Sequence, residues 1–201
     1  MNKMLIVISI LLMLGCEKRP EPLAKLPNDA VILAFGDSLT RGTGASANHD
    51  YPSILAELTH RKVINEGVPG EISTDGLKRL PGLLDQYQPK LLILIHGGND
   101  ILKQVPEQET ARNLDRMVSE AKSRNIEVVM LGVPEPSLLF MESAEIYRKI
   151  AEGHEVLIDL DTLPEILEDN KLKSDEVHPN DEGYRQMATH IYNFLKEAGA
   201  L

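Results

Sequence analysis

Ser38 is the first residue of this chain whose type and position suggest covalent chemistry. It lies in Ala34-Phe35-Gly36-Asp37-Ser38-Leu39-Thr40-Arg41-Gly42, just past the apolar run Ala30-Val31-Ile32-Leu33. That run has the length and β-branched content of a buried strand. A serine beyond the C-terminal end of a parallel strand sits where open α/β sheets bind ligands. Its hydroxyl is a poor nucleophile until a base takes the proton and a third group orients that base. The chain has six histidines, and only His178 follows an acid at short spacing in a loop-like segment, Lys173-Ser174-Asp175-Glu176-Val177-His178-Pro179-Asn180. Pro179 keeps His178 out of a helix. In such a turn Asp175 can fold back onto the imidazole Nδ1–H and leave Nε2 for Ser38.

Acyl transfer also needs donors aimed at a developing oxyanion. Asn99 offers a side-chain amide in Gly97-Gly98-Asn99-Asp100, immediately after an unbroken apolar run. Asn65-Glu66-Gly67 holds the corresponding place after the second expected strand, where a backbone N–H could point at the same spot. Each segment alone is also ordinary turn chemistry. Their convergence on one edge of a sheet gives them weight.

The elements that must position these residues follow from periodicity. Expected strands are Ala30–Phe35, Lys62–Asn65, Leu91–Ile95, Glu127–Leu131 and Glu155–Ile158, with Leu91–Ile95 apolar throughout as in a central strand. Expected helices are Tyr51–Thr59, Thr74–Tyr87 with a kink or split at Pro81, Glu107–Arg124, Glu142–Glu152, and a last one capped by Asn180 or Asp181. Strands alternating with helices of this length imply a parallel sheet with right-handed crossovers. The expectation is one α/β domain of three layers, α/β/α.

On these residues the chain resembles the GDSL, or SGNH, hydrolase family across nearly all of 30–198. The blocks that carry the resemblance are Gly36–Gly42, Gly67, Gly98-Asn99-Asp100 and Asp175–Asn180. The resemblance implies Ser38, Asp175 and His178 as the triad, with the Ser38 and Gly67 N–H groups and the Asn99 amide as the oxyanion hole. It also implies a flavodoxin-like five-stranded parallel sheet in order 2-1-3-4-5, and no metal or organic cofactor. The subgroup most similar is that of bacterial arylesterases, acyl-CoA thioesterases and lysophospholipases, to which Leu77-Lys78-Arg79-Leu80-Pro81 and Gln88-Pro89-Lys90 add likeness. The alternatives are removal or transfer of acetyl groups on envelope carbohydrate by the same triad, or a non-catalytic binding lipoprotein. His96 before the glycine pair and the loop Gly67-Val68-Pro69-Gly70-Glu71 depart from the subgroup, which leaves substrate range open. Thr40 stands where a Gly-x-Ser-x-Gly elbow has its second glycine. His96 lacks neighbours at metal-ligand spacing and is expected to be packed or hydrogen-bonded. Asp37 is expected to support the turn and not to serve as the triad acid.

Composition narrows the class. With 21 Lys and Arg against 31 Asp and Glu, the net charge is −10, and no basic run of the kind that neutralises phosphates occurs, so nucleic acid is not an expected partner. A length of 201 residues suits one domain; a monomer is expected, and the resemblance implies an acyl ester or lipid as substrate. Ahead of it, Lys3 and the eleven-residue apolar run Met4–Leu14 read as a signal segment, too short to span a bilayer. Met13-Leu14-Gly15-Cys16 resembles a lipoprotein lipobox, which implies acylation of Cys16 and a membrane anchor in the cell envelope. Glu17 after it implies the outer membrane in a Gram-negative source. The expected division is therefore a signal peptide at 1–15, a lipidated N-terminus and tether at 16–27, and a hydrolase domain at 28–201.

Overall fold

The computed structural model describes residues 22–136 and 141–201, so the signal-type run and Cys16 lie outside the described residues. The chain runs β1 (Val31–Gly36), α1 (Ser38–Arg41), α2 (Tyr51–Thr59), β2 (Lys62–Gly67), α3 (Ser73–Tyr87), β3 (Leu91–Ile95), α4 (Gly98–Leu102), α5 (Glu107–Lys122) and β4 (Glu127–Leu131). It continues through β5 (Pro134–Pro136), β6 (Met141–Ser143), α6 (Glu145–His154), β7 (Leu157–Asp159), α7 (Thr162–Glu168) and α8 (Asp181–Glu197).

Five strands form a parallel sheet in the order β2-β1-β3-β4-β7. Counting only these strands, that is the expected 2-1-3-4-5, with a small antiparallel hairpin, β5-β6, inserted before the last. Right-handed crossovers put α3, α5 and α6 on one face and α2 and α8 on the other. Accordingly α3 packs on α5, α5 on α6, and α2 on α8. β3 is buried at every position, which is why it carries no polar residue.

Register brings the strand ends level. Gly36 is paired with Gly67 on one side and Ile95 on the other, so β1, β2 and β3 release their chains at one edge. Gly36 has no room for a side chain: a Cβ there would lie 1.9 Å from the Ile95 carbonyl oxygen. Local caps start the flanking helices. Asp50 accepts from the Ser53 N–H at α2, with Pro52 in the first turn, and Asn180 accepts from Glu182 and Gly183 at α8.

α3 runs unsplit through Pro81, with Leu80 and Leu84 on either side buried. The structure corrects two sequence expectations. Residues 142–143 belong to β6 and not to α6, held there by pairing with β5 and by the Ser143 hydroxyl, which donates to the Leu160 carbonyl at 2.7 Å. The domain also begins earlier than residue 28. The Leu23 and Leu26 N–H groups donate to the Ala198 and Ala200 carbonyls at 2.9 and 2.8 Å, and Leu26 is buried in the core.

Candidate active site

Ser38 opens α1 directly beyond β1. Asp37 caps this short helix through its Oδ1, which accepts from the Leu39 N–H at 3.0 Å, and Gly42 ends it in the left-handed region at φ 87°. The turn presents the Ser38 hydroxyl to the base: His178 Nε2 lies 2.9 Å from Ser38 Oγ. On the far side of the ring, Nδ1 is 2.8 Å from Asp175 Oδ2. A carboxylate can only accept, so Nδ1 carries the proton and Nε2 is left to accept from the serine.

The loop holding this pair is braced by its own backbone. Ser174 N–H donates to the His178 carbonyl at 2.8 Å, Asn180 N–H to the Leu172 carbonyl at 2.8 Å, and Lys173 bridges to Pro179. Asp175 Oδ1 further accepts the Val177 and His178 N–H groups, each at 2.9 Å. Partial burial works against the charge on Asp175, but these N–H donors and the His178 ring outweigh it and hold its pKa below the usual value. An ionised partner for the imidazole follows.

Beside Ser38 lies an open cavity of about 330 Å³, lined by Leu39, Ile101, Leu102, Val133, Met141, Leu167 and Val177 among others, with Ser38, Asn99 and His178 at its polar end. Asn99 is the second residue of α4, and its amide has no hydrogen-bond partner among the described residues. The Ser38 N–H, first in α1, is likewise free to donate.

Gly67 is not brought to this point. β2 continues through it, its N–H donates to the Asn65 side-chain oxygen at 3.0 Å, and it does not line the cavity. Three residues later Gly70 does line it, in the left-handed region at φ 79°, with no hydrogen bond from its N–H among the described residues. The sequence signal available was Pro69-Gly70, a turn dipeptide one step past the strand. Lys103 was also missed; its ammonium donates to the Gly70 carbonyl at 2.7 Å.

The other candidates fall as follows. His96 is fully buried and hydrogen-bonded, with Nε2 3.1 Å from Glu71 Oε2 and Nδ1 accepting from the Gly97 N–H at 2.9 Å. Among the described residues no cluster of three His, Cys, Asp or Glu is placed to hold a metal. Asp37 caps its helix and does not contact His178, and burial pushes its pKa up.

A family model described as GDSL-like lipase/acylhydrolase matches residues 34–186. The chain belongs to that family. It is 32% identical over 160 residues to the thioesterase 1/protease 1/lysophospholipase L1 of Escherichia coli K12, covering 74% of this chain and 75% of that one. It is 33% identical over 178 residues to an arylesterase of Vibrio mimicus, covering 80% and 85%. The psychrotrophic esterase EstA from Pseudoalteromonas sp. superposes with a TM-score of 0.73 at 24% identity, over 84% of this chain and 98% of that one, a likeness of fold. This GDSL hydrolase has the SGNH architecture and is an ester hydrolase.

Proposed function

We propose that this hydrolase cleaves carboxylic esters and thioesters with apolar acyl groups through an acyl-enzyme on Ser38. The observation that carries the reading is the chain of contacts Ser38–His178–Asp175, at 2.9 and 2.8 Å. As Ser38 Oγ bonds to the acyl carbon, its proton passes to His178 Nε2, and Asp175 stabilises the imidazolium. The carbonyl oxygen takes up the negative charge among the Ser38 N–H, the Gly70 N–H and the Asn99 amide. His178 then returns the proton to the departing alcohol, thiol or phenol. Water attacks the acyl-serine with His178 as base, releasing the acid and restoring the hydroxyl.

The apolar cavity wall supports an acyl chain over a sugar as the group bound there. The relatives named for thioester and aryl ester cleavage support the leaving-group range. The chain completes its own site, which supports action as a monomer. The Met13–Cys16 motif supports a lipid anchor at Cys16 and a place in the cell envelope, at the outer membrane in a Gram-negative cell.

Ser38→Ala is expected to abolish fluorophosphonate labelling and lower kcat by roughly 10⁶-fold, with thermal unfolding unchanged. Substrates are ranked with a panel of p-nitrophenyl esters of rising chain length, acyl-CoA, lysophospholipid and acetylated sugars. Retained hydrolysis in Ser38→Ala overturns the mechanism. Acetylated sugar as the best substrate overturns the acyl-chain reading.

A further inference from the structure

Two of the three donor segments proposed above, the loop through Gly70 and the turn before Asn99, meet at one buried carboxylate. Glu71 follows Gly70 directly and its side chain is 8% exposed. It accepts from Arg79 Nε and Nη2, each at 2.8 Å, and from His96 Nε2 at 3.1 Å. The His96 tautomer is set from its other nitrogen, which accepts the Gly97 N–H; Nε2 therefore holds the proton and donates to Glu71. Gly97 is the cap of the helix that presents Asn99. Arg79 Nη2 also donates to the carbonyls of Gly36 and Glu66, at 3.1 and 2.9 Å, which ties in the end of β1 just before Ser38.

The rest of the glycine loop is held at its two ends. Val68 N–H donates to the Gly36 carbonyl and Glu71 N–H to the Val68 carbonyl, and past Glu71 the Ser73 N–H, first in α3, donates to Asp100 Oδ2 of α4 at 2.8 Å. From the solvent side Lys103, just past α4, grips the Gly70 carbonyl. The site is also shaped to receive this network: a Cβ on Gly76 would stand 2.3 Å from His96 Nε2 and 3.2 Å from Glu71 Oε2.

We propose that Glu71, bridging Arg79 and His96, is the positioning residue of the oxyanion hole, with Lys103 fixing the same loop from outside. Together they hold the Gly70 N–H and the Asn99 amide at one mutual spacing. The inference rests on the roles given above to Ser38, Gly70 and Asn99. Oxyanion contacts form fully only in the transition state, so their misplacement lowers kcat and leaves KM nearly unchanged.

The test measures kcat and KM on a p-nitrophenyl ester for Glu71→Gln, Lys103→Met and Asn99→Ala, and for Glu71→Gln combined with Asn99→Ala. Glu71→Gln is expected to lose roughly 10- to 100-fold in kcat with KM within about twofold of the parent. In the Asn99→Ala background the same substitution is expected to cost markedly less, because the donor it positions is already gone. A side chain that only stabilised the fold would cost the same factor in both backgrounds. If Glu71→Gln fails to fold, Lys103→Met, on the surface, is expected to show the kcat-only loss alone. Parental kcat in Glu71→Gln, a loss confined to KM, or equal losses in both backgrounds overturns the proposal; so does parental kcat in Lys103→Met where Glu71→Gln does not fold. An active Ser38→Ala would instead overturn the mechanism itself, whatever Glu71 does.

Discussion

A carboxyl group buried beside the nucleophile raises the question of its charge. Asp37 is 1% exposed; one oxygen caps α1, and the other, Oδ2, has no hydrogen-bond partner among the described residues. Burial raises its pKa above the usual 3.8, against the pull of His96, the Leu39 N–H and His178. A raised folded pKa means the folded state holds the proton more tightly than the unfolded chain. The stability this contributes is complete below the unfolded pKa and is lost as pH rises through the folded one. Asp37→Asn keeps the oxygen that caps Leu39 and removes the titration. Its melting temperature is expected to exceed the parent's by several degrees at pH 8, at about 2–4 °C per kcal/mol for a chain of this size. The gap should narrow steadily toward pH 4. A gap that is constant from pH 4 to 8 would rule out Asp37 as the titrating group.

At the scale of elements, the site depends on how closely β1 and β3 approach. Gly36→Ala would drive a methyl group into the Ile95 carbonyl and to within 2.4 Å of the Thr40 hydroxyl. Overpacking of this kind costs about 1–3 kcal/mol or more, read as a lowered melting temperature with loss of activity. Gly82→Ala is the control: it lies inside α3 with nothing within 4 Å of a Cβ, and removing a helical glycine there is expected to be neutral or stabilising. Equal melting temperatures for the two variants would contradict the packing at the strand ends. These elements also show what was legible in the sequence. Ser38, Asp175, His178 and Asn99 could be read because each follows a clear apolar run or lies in a short turn with its own partner. Gly67 and Gly70 could not be told apart, since nothing in Asn65-Glu66-Gly67 says that pairing with β1 carries the strand two residues further. Glu142 and Ser143 read as helix because the partner of their strand, Pro134–Pro136, has no strand pattern. The Glu71–Arg79–His96 contacts join residues 8 and 25 positions apart, a distance over which no local pattern speaks.

For the whole molecule, the two edges of the sheet have different occupants. The cavity, with Ser38 and His178, lies at the C-terminal edge, where β1, β3 and β4 end. The described chain begins at the other edge. Pro22 and Leu23 line one surface pocket with Ile126, Glu127 and Leu157, where β4 and β7 begin, and the Arg61 guanidinium ahead of β2 donates to the Leu26 and Pro27 carbonyls. Leu23 lies seven chain steps beyond Cys16, so the reach between them cannot exceed roughly 25 Å. A six-residue strand such as β1 adds about 20 Å beyond that. An enzyme anchored at Cys16 would thus hang by its back: at full stretch its mouth opens away from its own leaflet, and turning the mouth round to that leaflet would use most of the tether's reach. Held on vesicles, it should turn over a dissolved short-chain ester as fast as the unanchored Cys16→Ser form.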